Sequence, residues 1–480
     1  MARLFTEHEV AALIDVAVAP LREKIVQLET QLAVAQAEID RLRTENARLK
    51  KDSSTSSKPP SSDIVKPPKP KLPEGQGRKR RRGGQVGHPR HTRPLFPPKQ
   101  VDRAWVYEWL EPGAEWEPLD EFRTLQQVEL AEKLFEVTEH CARLYRSRIT
   151  GAIVAAALPE DVRLAGLVGP RLTALLAFQK GACHMSYTSI QTFLGDVLGL
   201  PLSTGQIAKI VQKASAALGP SHAELEAALP GQAALNIDET GHPENGKKLW
   251  TWGFHVPGPQ GFTWFHIDPS RSSDVLYEFL GEAFSGVIGC DYYSVYRKFL
   301  SETDAVMQFC WAHLIRDVKF LITLTDPVTV RYGRKLLSKI KSLFRLWHRR
   351  GEMPQDKWER RIRRASEAVQ HRAKRAPSRI EAQNIQERFR EHGAYYFTFL
   401  AVPGIEPTNN AMEQRMRFVA IDRKITQGTR GERGRRWCER MWTVLATCVQ
   451  RGQSAFTFLY QSILAYFVGH ASPSLLAMPP

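Results

Sequence analysis

Two short apolar runs, Ala233-Ala234-Leu235-Asn236-Ile237-Asp238 and Val287-Ile288-Gly289-Cys290-Asp291, decide how the middle of this chain folds. Each run has the length and the aliphatic content of a buried β-strand, and each ends on an aspartate. Around them the pattern predicts, in order, strands at 233–238, 249–256 and 261–267, a helix at 272–284, a strand at 286–290, a helix at 292–300, a strand at 305–310 and a helix at 311–322.

Three antiparallel strands followed by alternating helices and strands are typical of the ribonuclease-H-like α/β fold. In that order the first and fourth strands are neighbours, so Asp238 and Asp291 are expected to lie close together. We therefore predict a multidomain protein, α/β with additional α regions, whose first catalytic segment spans 230–326.

A third acid, Glu413, lies in Thr408-Asn409-Asn410-Ala411-Met412-Glu413-Gln414, which reads as the opening of a helix. Two carboxylates at strand ends and one on a later helix fit a two-metal site for phosphoryl transfer, with two Mg²⁺ or Mn²⁺ ions per site. Either aspartate alone fits a turn or a helix cap equally well. Glu239, Asp268 and Glu406 compete as ligands, but their positions favour Glu413.

The overall composition points to a nucleic-acid partner. The 480 residues have a formal net charge of +16, which favours a polyanionic partner. Six scattered cysteines form no C-x-x-C pair, as expected in a reducing cytosol. With no membrane-spanning run and no signal peptide apparent, we expect a soluble cytoplasmic protein.

Residues 1–50 are predicted to form a helix that dimerises as a coiled coil. The apolar residues follow a heptad spacing, and Asn46 at an a-type position is typical of two-stranded coiled coils. A single amphipathic helix packed on its own protein is the alternative. The proposed contact positions are Ile25, Leu28, Leu32, Ile39, Leu42, Asn46 and Leu49.

Residues 51–98 form a predicted disordered linker rich in Ser, Pro, Gly, Lys and Arg. Its basic cluster, Arg78, Lys79, Arg80, Arg81 and Arg82, is predicted to bind DNA phosphates by counterion release. A solvated tail is the alternative.

Residues 99–160 alternate apolar and polar residues and predict a small β-containing module. In the helical region 161–220, two helices at 187–198 and 204–218 flank a Gly-containing turn, with Ser203 as N-cap. This layout predicts a helix-turn-helix, although an ordinary αα-hairpin has the same pattern. The residues predicted to face a DNA groove are Thr204, Gln206, Lys209 and Gln212.

Residues 327–402 predict an all-α insertion with nineteen Lys/Arg against seven Asp/Glu, whose charge suits flanking DNA or a solvated surface. Residues 403–480 complete the catalytic domain as helices. Cys310 and His313 are too few ligands for zinc and are expected to order the site. Arg423 and Lys424 are expected to reach DNA phosphates.

Several motifs resemble those of the DDE transposases of the insertion-sequence sixty-six family, from the coiled coil to about residue 465. They are Gly83-Gly84-Gln85-Val86-Gly87-His88, Asp238-Glu239-Thr240, Cys290-Asp291-Tyr292 with Tyr296, Cys310-Trp311-Ala312-His313, Asn409-Asn410-Ala411-Met412-Glu413 and Asp422-Arg423-Lys424.

The resemblance implies a ribonuclease-H-like catalytic domain with Asp238, Asp291 and Glu413 as catalytic triad and metal ligands. The neighbouring Cys310, His313, Asn409 and Asn410 would support the site. It also implies double-stranded DNA, both element ends and target, as substrate, with small accessory proteins of the element as candidate partners. Family members commonly have a zinc module with C-x-x-C pairs. This chain has only Cys141 in that region, so we predict a metal-free remnant and no zinc.

The leading hypothesis is thus a homo-oligomeric DNA transposase that cleaves and joins strands at the ends of an insertion sequence. Two alternatives remain open at this point. One is a catalytically inactive DNA-binding regulator derived from a transposase, and the other is a ribonuclease-H-like nuclease.

Overall fold

The computed structural model describes residues 6–50, 95–107, 124–128, 130 and 134–477. The chain divides into two compact units, one of Met1–Pro67 with Ala157–Pro480 and the other of Pro68–Ala156. The predicted basic cluster at 78–82, nearly all of the predicted linker and the motif at 83–88 lie outside the described residues. Among the described helices, none is long and apolar enough to cross a membrane.

The N-terminal helix α1 (Glu7–Leu49) begins with a capping box between Thr6 and Glu9. Its predicted coiled-coil positions, including Leu28, are exposed along the helix, so the described part of the protein does not cover them. Near its C-terminal end the helix contacts α12 of the same unit, where Arg48 forms an ion pair with Glu381 at 2.8 Å.

The described part of the second unit contains one antiparallel hairpin. Its strands are β1 (Leu144–Arg146) and β2 (Ile153–Ala155), both exposed. Cys141 is exposed and free just before β1. These are the only strands in the described part of the predicted β-containing module.

Five helices follow: α2 (Glu160–Ala165), α3 (Pro170–Gly181), α4 (Tyr187–Leu198), α5 (Thr204–Ala217) and α6 (Gly219–Ala228). Helix α4 ends at Gly199 in the left-handed conformation, and α5 begins at a capping box between Ser203 and Gln206. Helices α3, α4 and α5 share a small hydrophobic core that is separate from the main one and includes Ile190, Leu194 and Ile207. The predicted helix–turn–helix boundaries thus agree with the observed helices to within one residue.

The central sheet has five strands: β3 (Ala234–Glu244), β4 (Lys247–His255), β5 (Thr263–Asp268), β6 (Val287–Cys290) and β7 (Val306–Phe309). They are ordered β5-β4-β3-β6-β7. Strands β3, β6 and β7 are parallel, and β4 is antiparallel to both of its neighbours. Helices α7 (Asp274–Leu280), α8 (Ser294–Glu302) and α9 (Trp311–Ile322) connect and follow β5, β6 and β7.

The prediction that the first strand ends at Asp238 is wrong. Strand β3 continues to Glu244 and returns as β4 through Asn245 and Gly246, both at positive φ (46° and 81°). Asn-Gly at a two-residue turn is the preferred sequence for a tight β-hairpin. The polar residues that follow Asp238 hide the second half of the strand in the sequence, and only the Asn-Gly pair indicates where the strand ends.

An all-α segment follows α9 before the chain returns to the sheet. Its helices are α10 (Pro327–His348), α11 (Gln355–Ala373), α12 (Ile380–His392) and α13 (Thr398–Ala401). Three helices then complete the fold: α14 (Asn410–Thr426), α15 (Glu432–Gln450) and α16 (Ala455–Val468).

Side chains of helix α15 accept hydrogen bonds from the backbone of β5, the strand at one edge of the sheet. The backbone N–H groups of Thr263, Phe265 and Ile267 in β5 donate to oxygens of Thr447, Thr443 and Glu439, at 3.1, 3.1 and 2.8 Å. Four helix residues rise about 6 Å, nearly the span of two strand residues, so the two periods match. The helix therefore covers an edge that would otherwise expose unpaired donors.

Replacing Thr443 with valine is expected to lower the free energy of unfolding by about 1–3 kcal/mol, because the Phe265 N–H stays buried without an acceptor. The side-chain volume is nearly unchanged, so packing is preserved. Denaturant unfolding measures the loss, and hydrogen exchange should quicken at the Phe265 amide. Thr457→Val at an exposed position of α16 is the control. Equal stability of the Thr443 and Thr457 variants would contradict this account of the edge.

Candidate functional site

Asp238 on β3 and Asp291, the residue that follows β6, occupy equivalent positions relative to the pairing of these two adjacent parallel strands. The pairing of β3 with β6 runs to Asn236 opposite Gly289, and each aspartate lies two residues further along its strand direction. Asp238 Oδ1 accepts the Glu239 N–H at 3.0 Å, and Asp291 Oδ1 accepts the Tyr293 N–H at 2.9 Å. The parallel register brings the two carboxylates to the same end of the paired segment.

Glu413 reaches the two aspartates because α14 packs on β3 and β4. The Asn409 Nδ2 atom, at the N-cap, donates to the Ile237 carbonyl at 2.8 Å, which fixes the helix start one residue from Asp238. Opposite Asp238 in the sheet is Gly253. A Cβ on Gly253 would lie 2.1 Å from Met412 Cε, so the missing side chain lets α14 approach closely.

Burial and mutual repulsion govern the protonation of the acids. Burial and the charges of Glu239, Asp291 and Glu413 raise the pKa of Asp238 well above its usual range. Burial also raises the pKa of Asp291, against the lowering effect of Arg271. Because their charges act on one another, the three predicted acids form one electrostatic group.

Glu239, which the sequence analysis set aside, belongs to the same electrostatic group. Its side chain is 2% exposed and forms an ion pair with Arg271 at 2.7 Å. Its second oxygen accepts the Tyr296 hydroxyl at 2.5 Å. Arg271 also stacks over Trp250 and Tyr293, with its Cζ 4.4 and 4.1 Å from the ring centroids. Unlike Asp238, Glu239 has partners within the protein for its charge.

Helix α9 presents a second set of groups to Glu413. Arg316 Nη2 donates to Glu413 Oε2 at 3.2 Å. His313 Nδ1 lies 3.6 Å from Glu413 Oε1, which is too far for a hydrogen bond. Both atoms are buried, and neither has a hydrogen-bond partner among the described residues. Cys310 Sγ accepts the backbone N–H of Asn409 at 3.2 Å. Cys310, His313 and Glu413 can each offer a ligand atom, with all three atoms within 4.8 Å of one another.

The sequence does not reveal this grouping, because Glu413 lies about a hundred residues after Cys310 along the chain. From the sequence, Cys310 and His313 are only two of the ligands that a metal site needs. Asn410, predicted with Asn409 to support the site, is exposed at the first turn of α14. Arg271 gave no signal at all, because it lies in a short loop before α7.

The predicted DNA-contacting residues are not equivalent in the structure. Thr204 and Lys209 are exposed on α5. Gln206 is exposed too, but its Oε1 accepts the Ser203 N–H at 2.8 Å as part of the cap. Gln212 is half-buried.

The two basic residues predicted near the acids also differ. Arg423 donates to Thr240 Oγ1 at 2.8 Å and to the Gly241 carbonyl, so this guanidinium braces α14 on β3. Lys424 is exposed and has no such contact among the described residues. Of this pair, Lys424 is therefore the better placed to meet a phosphate.

A basic groove lies between α9 and α10. The groove has a volume of about 770 Å³ and is lined by both apolar and basic residues. Its cationic lining residues are Lys319, Arg334, Lys341, Arg345 and His348. Six residues along α9, or about 9 Å, separate Lys319 from His313 beside Glu413. The groove therefore begins on the same helix as His313, about one and a half turns further along it.

Comparison with known protein families shows which families the chain is similar to. The family described as "Transposase IS66 family" matches residues 165–436, more than half of the chain and a range that includes every acid of the site. A family of unknown function (DUF6444) matches residues 5–94, which include α1. Among curated proteins nothing matches the chain.

Replacing Asp238 with asparagine is expected to raise the free energy of unfolding of the metal-free protein at neutral pH by about 1–2 kcal/mol, because it removes a repelled buried charge. Because the folded protein holds the Asp238 proton more tightly than the unfolded chain does, the stability of the wild type falls as the pH rises from the ordinary carboxyl pKa toward the raised one, and the loss is complete above it. The advantage of the variant should therefore be largest at neutral and alkaline pH and should shrink in acid.

Denaturant unfolding in the presence of a chelator, over a range of pH, measures this difference. Asp304→Asn, at an exposed position, is the matched control and should change stability little. A destabilised Asp238→Asn variant at neutral pH would contradict the repulsion described here.

Proposed function

The chain belongs to the IS66 family of transposases, and we propose that it is an active DNA transposase. The proposed reaction is metal-dependent strand cleavage and strand transfer at the ends of an insertion sequence. One observation supports this most strongly: Asp238 and Asp291 share a register on adjacent parallel strands, and Glu413 lies on a helix packed against them. An acid triad held by paired strands and a helix is suited to phosphoryl transfer.

The fold we propose for this region is ribonuclease-H-like. Its support is the strand order β5-β4-β3-β6-β7 together with the strand directions, since three antiparallel strands precede two parallel additions beside the first. The helices α10 to α13 would then be the insertion between the second aspartate and the glutamate.

Mg²⁺ or Mn²⁺ fits the acid group. The carboxylates are hard oxygen donors, and the raised pKa of Asp238 reflects a buried charge without a compensating partner. In this proposal Asp238, Asp291 and Glu413 hold two ions. Bound ions of this kind stabilise charge on the attacking and leaving oxygens of a phosphodiester.

The surrounding residues orient the acids. Asn409 fixes the start of α14 through the Ile237 carbonyl, and Arg316 holds one Glu413 oxygen. Arg271 neutralises Glu239, which leaves Asp238 and Asp291 as the acids to receive cations. Pre-set side chains of this sort lower the reorganisation needed for reaction.

Double-stranded DNA is the proposed substrate, both as element end and as target. The basic groove along α9 and α10 would bind the phosphates next to the acids, and the exposed residues Thr204 and Lys209 of α5 would contact a groove of the duplex. The basic cluster at 78–82 would add non-specific affinity. Such a protein would work at the nucleoid, with small accessory proteins of the element as candidate partners.

The test is strand cleavage of a labelled duplex that contains the end of the element, in Mg²⁺ or Mn²⁺. Asp291→Asn and Glu413→Gln are each expected to reduce cleavage by at least about a thousandfold, because each removes a ligand that holds charge at the reacting phosphate. The exposed acids Asp304→Asn and Glu406→Gln are matched controls and should keep wild-type rates.

Full activity of Asp291→Asn would contradict the proposal. Specific duplex binding without cleavage in any metal, with or without the accessory proteins, would favour a binding-only regulator. Preferential cleavage of RNA–DNA hybrids would favour a nuclease.

We further propose that α1 makes the transposase a homo-oligomer through a coiled coil, because its heptad residues are exposed on the unit to which they belong. Leu28→Glu combined with Leu32→Glu is expected to reduce the mass measured by light scattering to that of a monomer. Val26→Glu with Val34→Glu, equally exposed but outside the heptad positions, is the control. An unchanged mass for the Leu28/Leu32 variant would refute this interface.

A further inference from the structure

We propose that Cys310, His313 and Glu413 form a binding site for a transition-metal dication of the Zn²⁺ class. Cys310, His313 and Glu413 can each offer one ligand atom, and these three atoms lie within 4.8 Å of one another. For the histidine and the glutamate we propose Nδ1 and Oε1, which are 3.6 Å apart. A thiolate, an imidazole and a carboxylate are the ligands that Zn²⁺ prefers, with solvent in the fourth position. The Mg²⁺ site proposed above is made of oxygens alone, so the two sites differ in donor chemistry.

The spacing of the ligand atoms supports this assignment. Zn–N and Zn–O bonds of about 2.0 Å in a tetrahedron place the two ligand atoms about 3.3 Å apart. His313 Nδ1 and Glu413 Oε1 are 3.6 Å apart, close to that separation and beyond hydrogen-bond distance. Small side-chain movements would therefore complete the site.

Two orphaned polar atoms point to a ligand at this place. His313 Nδ1 and Glu413 Oε1 are both fully buried, and neither has a hydrogen-bond partner among the residues that the structure describes. Buried polar groups in proteins are nearly always satisfied, so such a facing pair is unusual. A cation between them would satisfy both atoms at once.

The neighbouring contacts leave the proposed ligand atoms available. Arg316 engages Glu413 Oε2, the oxygen that the site does not use. The Asn409 N–H donates to Cys310 Sγ, which would stabilise a thiolate once a metal displaced the proton.

Each ligand also comes from a rigid element. Cys310 caps the N-terminus of α9, and His313 follows in its first turn. Glu413 lies in the first turn of α14. The backbone N–H of Trp311 donates to the Pro407 carbonyl at 3.0 Å, which joins the starts of the two helices. A metal at this point would tie α9 to α14 and would share Glu413 with the proposed catalytic ions.

Co²⁺ is the probe that tests the site, because a cysteine ligand gives it a thiolate-to-metal absorption band. Titration of the full chain, freed of metal and DNA, is expected to produce this band with the intensity of one thiolate-bound ion per chain, and Zn²⁺ should displace that ion. Cys310→Ser should abolish the band. His313→Gln and Glu413→Gln should each weaken Co²⁺ binding by at least about tenfold, since even outer-shell changes cost that much.

Cys183→Ser and His470→Gln, at exposed positions, are matched controls and should titrate as the wild type does. Absence of the band in the wild type, or an identical band in Cys310→Ser, would overturn the proposal. The wild-type titration is decisive even where a variant fails to fold. Because the test uses no DNA, its failure is distinguishable from failure of the proposed strand cleavage.

Discussion

Repulsion among half-buried carboxylates is the constraint on which the rest of this structure depends. Asp238 is half-buried beside Glu239, Asp291 and Glu413, and its pKa is raised by desolvation and by their charges. Such a group is costly in a metal-free protein and becomes favourable around cations. The protein neutralises only part of this charge itself, through Arg271 on Glu239 and Arg316 on Glu413. The remainder is the basis for our proposal of a cation-dependent enzyme.

The scaffold holds this unfavourable group in place through contacts that come from distant parts of the chain. The parallel pairing of β3 with β6 sets the two aspartates, and Gly253 allows α14 to approach close enough for Glu413 to join them. On the far edge of the sheet, Thr443 and its neighbours on α15 satisfy the backbone of β5.

The sequence predicted those features that depend on local pattern. The helix at 311–322 and the two helices around Gly199 agree with the structure to within a residue, because caps and apolar periodicity define them. The end of β3 was misjudged, since polar residues in a hairpin hide a strand that only its Asn-Gly turn reveals. The packing of Glu413 against His313 could not be predicted, because it depends on tertiary contacts across a hundred residues. Arg423, which is predicted to contact DNA, also donates a hydrogen bond to Thr240 of β3, a tertiary contact that the sequence does not reveal.

The central claim is that Asp238, Asp291 and Glu413 share divalent ions, and Fe²⁺-directed cleavage of the protein backbone tests it most directly. Fe²⁺ bound in place of Mg²⁺ generates hydroxyl radicals that cut the chain near its ligands. The account predicts fragments that end near all three acids, suppressed by excess Mg²⁺ and lost in Asp238→Asn. Fragments near Cys310, His313 and Glu413 without any near Asp238 and Asp291 would contradict it.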